Sequence, residues 1–265
     1  MDKRPIGVMD SGVGGLTVWK EIVTLLPHES TVYIGDSKNA PYGDRDPEDI
    51  YLHAKRLIQF LLTKKVKLIV VACNVITTTC IDRLRNDFKD VPIVGTVPVV
   101  KKAAELTKKR KIGILSTNGT AKSYYQKHLI EQFASTVDVV NLGTNKLVPL
   151  VEKGEVRGEK VQKMLRDILL PFQKAKVDII ALGCTHFPFL RDEMENILTK
   201  KIMLLDSGSA VARQVKRILA NNQAFTDPKL VKHTMHTTGD TQLLTSIFRE
   251  AKLPPASLTY ISLDS

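Results

Sequence analysis

Two stretches decide the fold of this chain: VKLIVVACN at residues 66–74 and VDIIALGCTH at residues 177–186. Both are apolar almost throughout, as strands of a parallel sheet are when helices cover both faces. Both end in a cysteine that is followed by a small polar residue. Two related halves would each carry a thiol at the carboxyl end of a strand, where open α/β sheets bind their ligands. Because the match is short, chance similarity explains it as well as duplication does.

Further short β-branched runs alternate with helical patterns, which is typical of parallel strands joined by crossover helices. Apolar residues at helical spacing over 50–61 and 161–169 predict two helices that each bury one stripe. The sequence therefore predicts an α/β fold, with strands over residues 6–10, 31–36, 67–73, 92–96, 111–116, 137–142, 177–184, 202–206 and 232–237.

The composition of the 265 residues, 43% hydrophobic and 25% charged, is that of a globular protein with a sizeable core. The sequence has neither an apolar run long enough to span a membrane nor a signal region, so we expect a cytoplasmic protein without membrane partners. Cys73, Cys80 and Cys184 lack C-x-x-C spacing, which disfavours a disulfide framework and a zinc site.

The net charge of +11 raises the question of a nucleic-acid partner. The basic residues are spread through the chain, for example over 64–65, 101–102 and 108–111, and the aromatic content is only 6%. We therefore expect a solvated basic surface that attracts an anionic substrate, and nucleic acid is the less favoured partner.

Each strand-end cysteine has a reactive and an inert interpretation. Cys73 precedes a predicted helix, whose free N–H groups and dipole stabilise a thiolate, so we expect its pKa to fall toward neutrality. Cys184 is followed by Thr185 and His186, and a cysteine this close to a histidine can share a proton with it. The alternatives are a cysteine that only packs in the core, and a capping threonine beside a surface histidine. Cys80 lies inside the predicted helix without a polar companion and is assigned to packing.

The segment DSGVGG, residues 10–15, places Asp10 and Ser11 at another strand end. Its glycines allow close backbone approach, but Thr17 stands where the dinucleotide pattern G-x-G-x-x-G needs a third glycine. Asp10 would also repel a pyrophosphate. A carboxylate here is better suited to orient an ammonium group or to assist a proton transfer, and its alternative role is a helix N-cap.

Two more turns follow predicted strands: Pro41, Tyr42 and Gly43 in GDSKNAPYG, and Thr238 and Asp240 in TTGD. Such residues are commonly just turn formers or caps. Their hydroxyl and backbone N–H groups could also hold the two carboxylates of a substrate.

The motifs DSGVGG, PYG, ACN, LGCTH and TTGD, in this order, resemble those of the glutamate racemases in the aspartate/glutamate racemase superfamily. The resemblance implies two pseudosymmetric α/β domains, each a mostly parallel sheet flanked by helices, with the active site in the cleft between them. It places residues 1–97 and 207–265 in the first domain and 98–206 in the second. It also implies a cytoplasmic homodimer without cofactor or metal, which supplies D-glutamate for bacterial peptidoglycan synthesis.

By the same resemblance, Cys73 and Cys184 exchange a proton with the α-carbon of glutamate from opposite faces. Two bases are needed because one group returning the proton to the same face would regenerate the starting enantiomer. Cys73 would act on D-glutamate with support from Asp10. Cys184 would act on L-glutamate with support from His186 and Glu152. The resemblance places substrate contacts at Asp10, Ser11, Pro41, Tyr42, Gly43, Asn74, Val75, Thr117, Thr120, Thr185 and His186.

Two positions depart from the family pattern. Val75 stands where the family usually has a threonine, which removes a hydroxyl donor worth about 0.5–1.5 kcal/mol. The segment 95–100 lacks the glutamate that commonly precedes its proline. Two alternatives stay open: a racemase of the same superfamily for aspartate or another amino acid, and a non-catalytic protein that binds acidic metabolites or nucleic acid. The GCTH motif favours glutamate, because aspartate-type relatives usually carry a glutamate after the Cys-Thr pair.

Overall fold

The fold is seen in a computed structural model that describes residues 2–96, 99–198, 201–222, 224–225, 231–250 and 253–263. Its strands are β1 (Ile6–Asp10), β2 (Thr31–Gly35), β3 (Leu68–Val71), β4 (Ile93–Gly95), β5 (Lys111–Ser116), β6 (Asp138–Gly143), β7 (Ile179–Gly183), β8 (Met203–Leu205), β9 (His233–Thr237) and β10 (Ser257–Tyr260). Its helices are α1 (Leu16–Leu25), α2 (Pro47–Thr63), α3 (Asn74–Asp87), α4 (Val100–Leu106), α5 (Asn118–Lys122), α6 (Tyr124–Phe133), α7 (Val148–Glu152), α8 (Glu159–Lys174), α9 (Arg191–Leu198), α10 (Gly208–Asn221) and α11 (Thr241–Glu250).

Two parallel sheets form the framework. The larger sheet has the strand order β10-β9-β2-β1-β3-β4, and the smaller has the order β6-β5-β7-β8. In the larger sheet, for example, Ile6 of β1 lies opposite Leu68 of β3, and in the smaller sheet Ile112 of β5 lies opposite Ile179 of β7. The α/β fold class is therefore confirmed. Each predicted strand is present, with ends shifted by at most a few residues, whereas β10 was not predicted.

The two sheets share one strand order. The path β2-β1-β3-β4 in the larger sheet is the same as β6-β5-β7-β8 in the smaller sheet. β3 and β7 therefore occupy equivalent central places, and they lead to Cys73 and Cys184 respectively. The repeated order supports duplication over chance similarity of the two stretches, and it brings both thiols to the carboxyl ends of strands.

The sequence explains local structure well at α2. Pro47 takes the first helical position, and the Asp46 carboxylate accepts a hydrogen bond from the Glu48 N–H at 2.8 Å, which satisfies a free donor of the first turn. Burial of one large apolar side chain contributes about 1.5–3 kcal/mol, so the packed face of the helix supplies most of its stability. The predicted stripe is buried throughout and consists of Ile50, Ala54, Leu57, Ile58 and Leu61.

The chain completes the smaller sheet before it returns to the larger one. All strands of the smaller sheet lie between Lys111 and Leu205, and α10 then packs against α1 before β9 and β10 join the larger sheet. The predicted domain boundary at residue 97 lies outside the described residues, and the division into 1–97 with 207–265 and 98–206 stays a prediction. Across the described part of the chain, no helix combines the length and apolar character needed to cross a membrane.

Candidate active site

A small cavity, with a volume of about 10 Å³, lies between the carboxyl ends of the two sheets. Most of the predicted site residues line it, and Asp10, Thr120 and Glu152 lie behind its wall. Val148 lines the cavity although no polar motif marked it in the sequence. The full lining consists of Ser11, Pro41, Tyr42, Gly43, Cys73, Asn74, Val75, Thr117, Val148, Gly183, Cys184, Thr185 and His186.

Cys73 forms one side of the cavity. It is the N-cap residue of α3, and its sulfur lies 3.4 Å from Ser11 Oγ. Burial raises the pKa of this thiol to about 12, and the nearby charge of Asp10 raises it further than the Ser11 hydrogen bond lowers it. The expectation of a near-neutral pKa is therefore wrong, because loss of water outweighs the helix N-terminus. Cys73 is a thiol at neutral pH in this closed cavity.

Cys184 forms the opposite side, within a chain of polar contacts. Its sulfur lies 3.8 Å from His186 Nδ1, and His186 Nε2 lies 2.5 Å from Glu152 Oε1. Burial by itself would lower the pKa of His186, but its hydrogen bonds to Cys184 and Glu152, together with their charges, raise it well above the ordinary value. A positive imidazolium next to a cysteine sulfur is an arrangement that activates thiols. His186 is only 2% exposed, so it is not the surface histidine of the inert interpretation.

Asp10 connects the two halves behind the cavity. It has no exposed surface, and its carboxylate accepts hydrogen bonds from the Gly12 N–H at 3.0 Å and from Thr185 Oγ1 at 3.1 Å. Burial raises its pKa to about 6, and the neighbouring Glu152 contributes in the same direction, against the effect of His186. The capping role is excluded, because Gly15 precedes α1 without any side-chain cap.

The glycines of DSGVGG let the first loop pack directly against Glu152 and His186 of the other half. A Cβ atom on Gly12 would lie 1.9 Å from Glu152 Oε1, and one on Gly14 would lie 2.4 Å from His186 Nδ1. The Val13 N–H donates to the same Glu152 oxygen at 2.8 Å. The loop therefore holds the Glu152–His186 pair in place by backbone contact, which is a purpose other than nucleotide binding.

Other predicted residues act around the cavity. Thr117 caps α5, and its Oγ1 lies 3.0 Å from Thr120 Oγ1, which is fully buried behind it. Thr238 of TTGD donates to Asp36 at 2.7 Å, while Asp240 accepts from the Gln242 N–H at 2.7 Å in the first turn of α11. Neither Thr238 nor Asp240 lines the cavity.

Cys80 packs away from the site, as predicted. Its sulfur donates to the Ile76 carbonyl within α3, and it does not line the cavity. No group of three or more His, Cys, Asp or Glu side chains in the described ranges could hold a metal ion.

Comparisons with known proteins agree with this geometry. Residues 6–215 match the profile of the Asp/Glu/Hydantoin racemase family. A glutamate racemase of Clostridium botulinum is 39% identical over 221 residues, which are 83% of this chain and 86% of that protein. Glutamate racemase isoform RacE1 from Bacillus anthracis superposes with a TM-score of 0.90 at 31% identity, covering 99% of both chains. Escherichia coli glutamate racemase, solved with L-glutamate and the activator UDP-MurNAc-ala, superposes with a TM-score of 0.86 at 33% identity, covering 98% of both chains.

By these similarities the protein is a racemase, an enzyme that inverts a stereocentre. The chain belongs to the Asp/Glu/Hydantoin racemase family.

Proposed function

We propose that this chain interconverts L-glutamate and D-glutamate by moving a proton at Cα between Cys73 and Cys184. The observation that carries the proposal is the position of the two cysteines, which follow equivalent strands and line one cavity. Glutamate as the substrate is supported by the similarity to the Clostridium botulinum enzyme and to the Escherichia coli enzyme with L-glutamate bound.

In the L-to-D direction, Cys184 acts as a thiolate and removes the proton from Cα. The electron pair of the broken C–H bond is delocalised into the α-carboxylate, whose developing charge nearby N–H and hydroxyl donors stabilise. Cys73 then donates its thiol proton to the opposite face of Cα. The D-to-L direction starts from the opposite protonation state of the two sulfurs. The high pKa of Cys73 supports this assignment, because Cys73 then keeps the thiol proton that it must donate in the L-to-D direction.

An unpaired acceptor in the cavity wall supports an amino-acid substrate. Asn74 Oδ1 is buried and has no hydrogen-bond partner among the described residues, and Asn74 lines the cavity. A buried acceptor without a donor is destabilising by about 1–3 kcal/mol, so a ligand that supplies an N–H group gains from filling it. The ammonium group of an amino acid is such a donor.

The remaining parts of the proposal follow from it. Asp10 assists Cys73, while His186 and Glu152 assist Cys184, and the D-glutamate formed supplies peptidoglycan synthesis. The homodimer, the cytoplasmic location and the independence from cofactors stay predictions.

An isotope experiment in heavy water tests the proposal. Purified protein is incubated with L-glutamate without added cofactor, and the enantiomers are separated and analysed by mass spectrometry at early times. The sulfur that donates a proton to Cα is not the sulfur that removes the proton from it. We therefore expect deuterium at Cα in the D-glutamate formed and little in the recovered L-glutamate. Equal labelling of both enantiomers contradicts the two-cysteine route, and faster inversion of aspartate in a parallel reaction contradicts the substrate.

A further inference from the structure

A second buried carboxylate, Asp36, lies close to the cavity but outside its lining. It follows β2, is 1% exposed, and accepts hydrogen bonds from Tyr42 Oη at 2.5 Å and Thr238 Oγ1 at 2.7 Å. Asn39 Nδ2 lies 3.0 Å from one of its oxygens, and His53 Nδ1 lies 3.2 Å from the other. These five residues, the Asp36 cluster, join the ends of β2 and β9, helix α2 and the loop of residues 41–43.

The loop of residues 41–43 is where the Asp36 cluster reaches the cavity. Its three residues line the cavity on the side of the larger sheet. Gly43 also packs against the other half, since a Cβ atom there would lie 2.9 Å from Asn145 Oδ1 and 3.2 Å from Thr117 Cβ. A Cβ atom on Gly119 would lie 2.5 Å from the Gly43 carbonyl oxygen. The loop therefore bridges the two halves beside Cys73 and Cys184.

The hydroxyl of Tyr42 serves this cluster and not the cavity. Burial and the charge of Asp36 raise the pKa of Tyr42 well above its ordinary value, so the phenol stays a neutral donor. With this hydroxyl bonded to Asp36, the loop faces the cavity with backbone groups and with the ring of Tyr42. The position of those groups depends on how firmly Asp36 holds the loop.

We infer that Asp36 is a positioning residue that sets the affinity of the cavity for its substrate by holding the loop of residues 41–43 against the other half. The inference rests on the proposed function for the identity of the substrate. Within the described ranges, Asp36 forms no hydrogen bond with Cys73 or Cys184, so weakening the Asp36 cluster should change binding and leave the proton transfer nearly intact.

The experiment uses three variants of the full chain: Thr238→Val, Tyr42→Phe and Asp36→Asn. Thr238→Val is the most informative, because Thr238 lies off the cavity. The substitution removes the bond to Asp36 together with the acceptor of the Lys38 N–H, which lies 3.1 Å from Thr238 Oγ1. We expect KM to rise about tenfold for both enantiomers, equivalent to about 1.4 kcal/mol, with kcat changed less than about twofold. The matched control is Asp178→Asn, since Asp178 also accepts bonds from a loop, from Thr107 Oγ1 at 2.6 Å and the Lys108 N–H at 2.7 Å, in the smaller-sheet half. We expect this control to lower stability without changing KM.

A second readout does not depend on turnover. Iodoacetamide labelling of Cys73, followed by peptide mass spectrometry, reports how often the loop opens. We expect labelling of Cys73 to be about fivefold faster in Thr238→Val and unchanged in Asp178→Asn. A folded Thr238→Val variant with wild-type KM and wild-type labelling overturns the role of Asp36. A wild-type protein without glutamate turnover contradicts the proposed function instead, and the labelling still decides about Asp36. If Asp36→Asn fails to fold, the other two variants carry the test.

Discussion

The two sides of the cavity present the same thiol in opposite electrostatic surroundings. Cys73 lies near the buried carboxylate of Asp10, whose charge helps to raise its pKa. Cys184 lies 3.8 Å from His186, which Glu152 orients from behind. The strands that lead to the two cysteines are equivalent, so the difference comes from the loop residues and not from the fold.

This comparison shows how a repeated scaffold can serve a reaction that is symmetric overall and asymmetric in each step. The two enantiomers have equal free energies, so any variant must change kcat/KM equally in both directions. In the proposed route, each direction nevertheless starts from a different protonation state of the two sulfurs. The neighbours of each cysteine should therefore change kcat and the isotope effect for one enantiomer more than for the other.

The largest effect is expected from the cysteines themselves. Cys73→Ser and Cys184→Ser each leave one face of Cα without its acid/base group, and a serine hydroxyl is a much weaker acid and base near neutral pH. We expect kcat/KM to fall at least about a thousandfold in both variants, measured by circular dichroism of glutamate. Cys80→Ser is the matched control and should keep wild-type activity, because Cys80 lies off the cavity. Full activity in either site variant would refute the two-cysteine route.

Replacing Asp10 tests the charge on the Cys73 side through stability. The pKa of Asp10 in the folded protein is about 6, above its ordinary value of 3.8. The folded state therefore binds this proton more tightly than the unfolded chain, so the contribution is present below about pH 4 and is lost as the pH rises through about 6. We expect Asp10→Asn to increase the free energy of unfolding by up to about 3 kcal/mol at pH 8, with little change at pH 4.

Urea unfolding at the two pH values measures this difference. Asp178→Asn serves as the opposite case, because hydrogen bonds from Thr107, Lys108 and Lys109 outweigh burial and lower the pKa of Asp178. That variant should be destabilised at pH 8. An Asp10→Asn variant that changes stability equally at both pH values would show that Asp10 is not buried as a charge.

Replacing His186 tests the Cys184 side. His186→Asn removes the positive group beside the sulfur and the partner of Glu152, so proton removal from L-glutamate should slow most. We expect kcat for L-glutamate to fall about a hundredfold, and the primary deuterium isotope effect to increase for L-glutamate more than for D-glutamate. Stopped-assay rates with Cα-deuterated enantiomers measure this asymmetry. The same isotope effect for both enantiomers would mean that His186 serves both cysteines alike.

A smaller effect is expected from the loop that supports His186. The added methyl of Gly14→Ala would lie 2.4 Å from His186 Nδ1 and 2.5 Å from Thr185 Oγ1, so the imidazole must shift from its place beside Cys184. We expect kcat to fall about tenfold if His186 has its proposed role, since small misplacements of reacting groups are costly. Gly158→Ala is the control: its methyl meets open space, and because its φ is +101° the variant should lose stability but keep kcat. A Gly14→Ala variant as active as wild type would mean that the loop does not position His186.

The sequence was sufficient for the strands and for most of the cavity lining, because buried parallel strands and their polar ends leave strong local patterns. It was not sufficient for β10, a short edge strand with largely exposed residues. It also missed Asp36, although a carboxylate after a strand was the same signal that marked Asp10. Which strand-end residues face the cavity depends on packing between distant segments, and for this reason the sequence did not show that Thr238 lies off the cavity. The prediction of a near-neutral pKa for Cys73 was wrong, because burial has the largest effect on this pKa and the local motif does not show how deeply the thiol is buried.

The smallest expected effect concerns Val75, where the two sides of the cavity can be compared with one substitution. Val75 is the second residue of α3 and lines the cavity next to the unpaired Asn74 Oδ1. Val75→Thr keeps the side-chain volume and adds a donor near the free N–H groups of the helix terminus. If the substrate carboxylate lies there, the added hydrogen bond should lower KM about threefold for both enantiomers. Val148→Thr makes the same change on the wall of the other half, at the start of α7, and should not lower KM. Equal KM values for Val75→Thr and wild type would mean that backbone donors of α3 already satisfy the substrate, so that the departure at residue 75 has no consequence for binding.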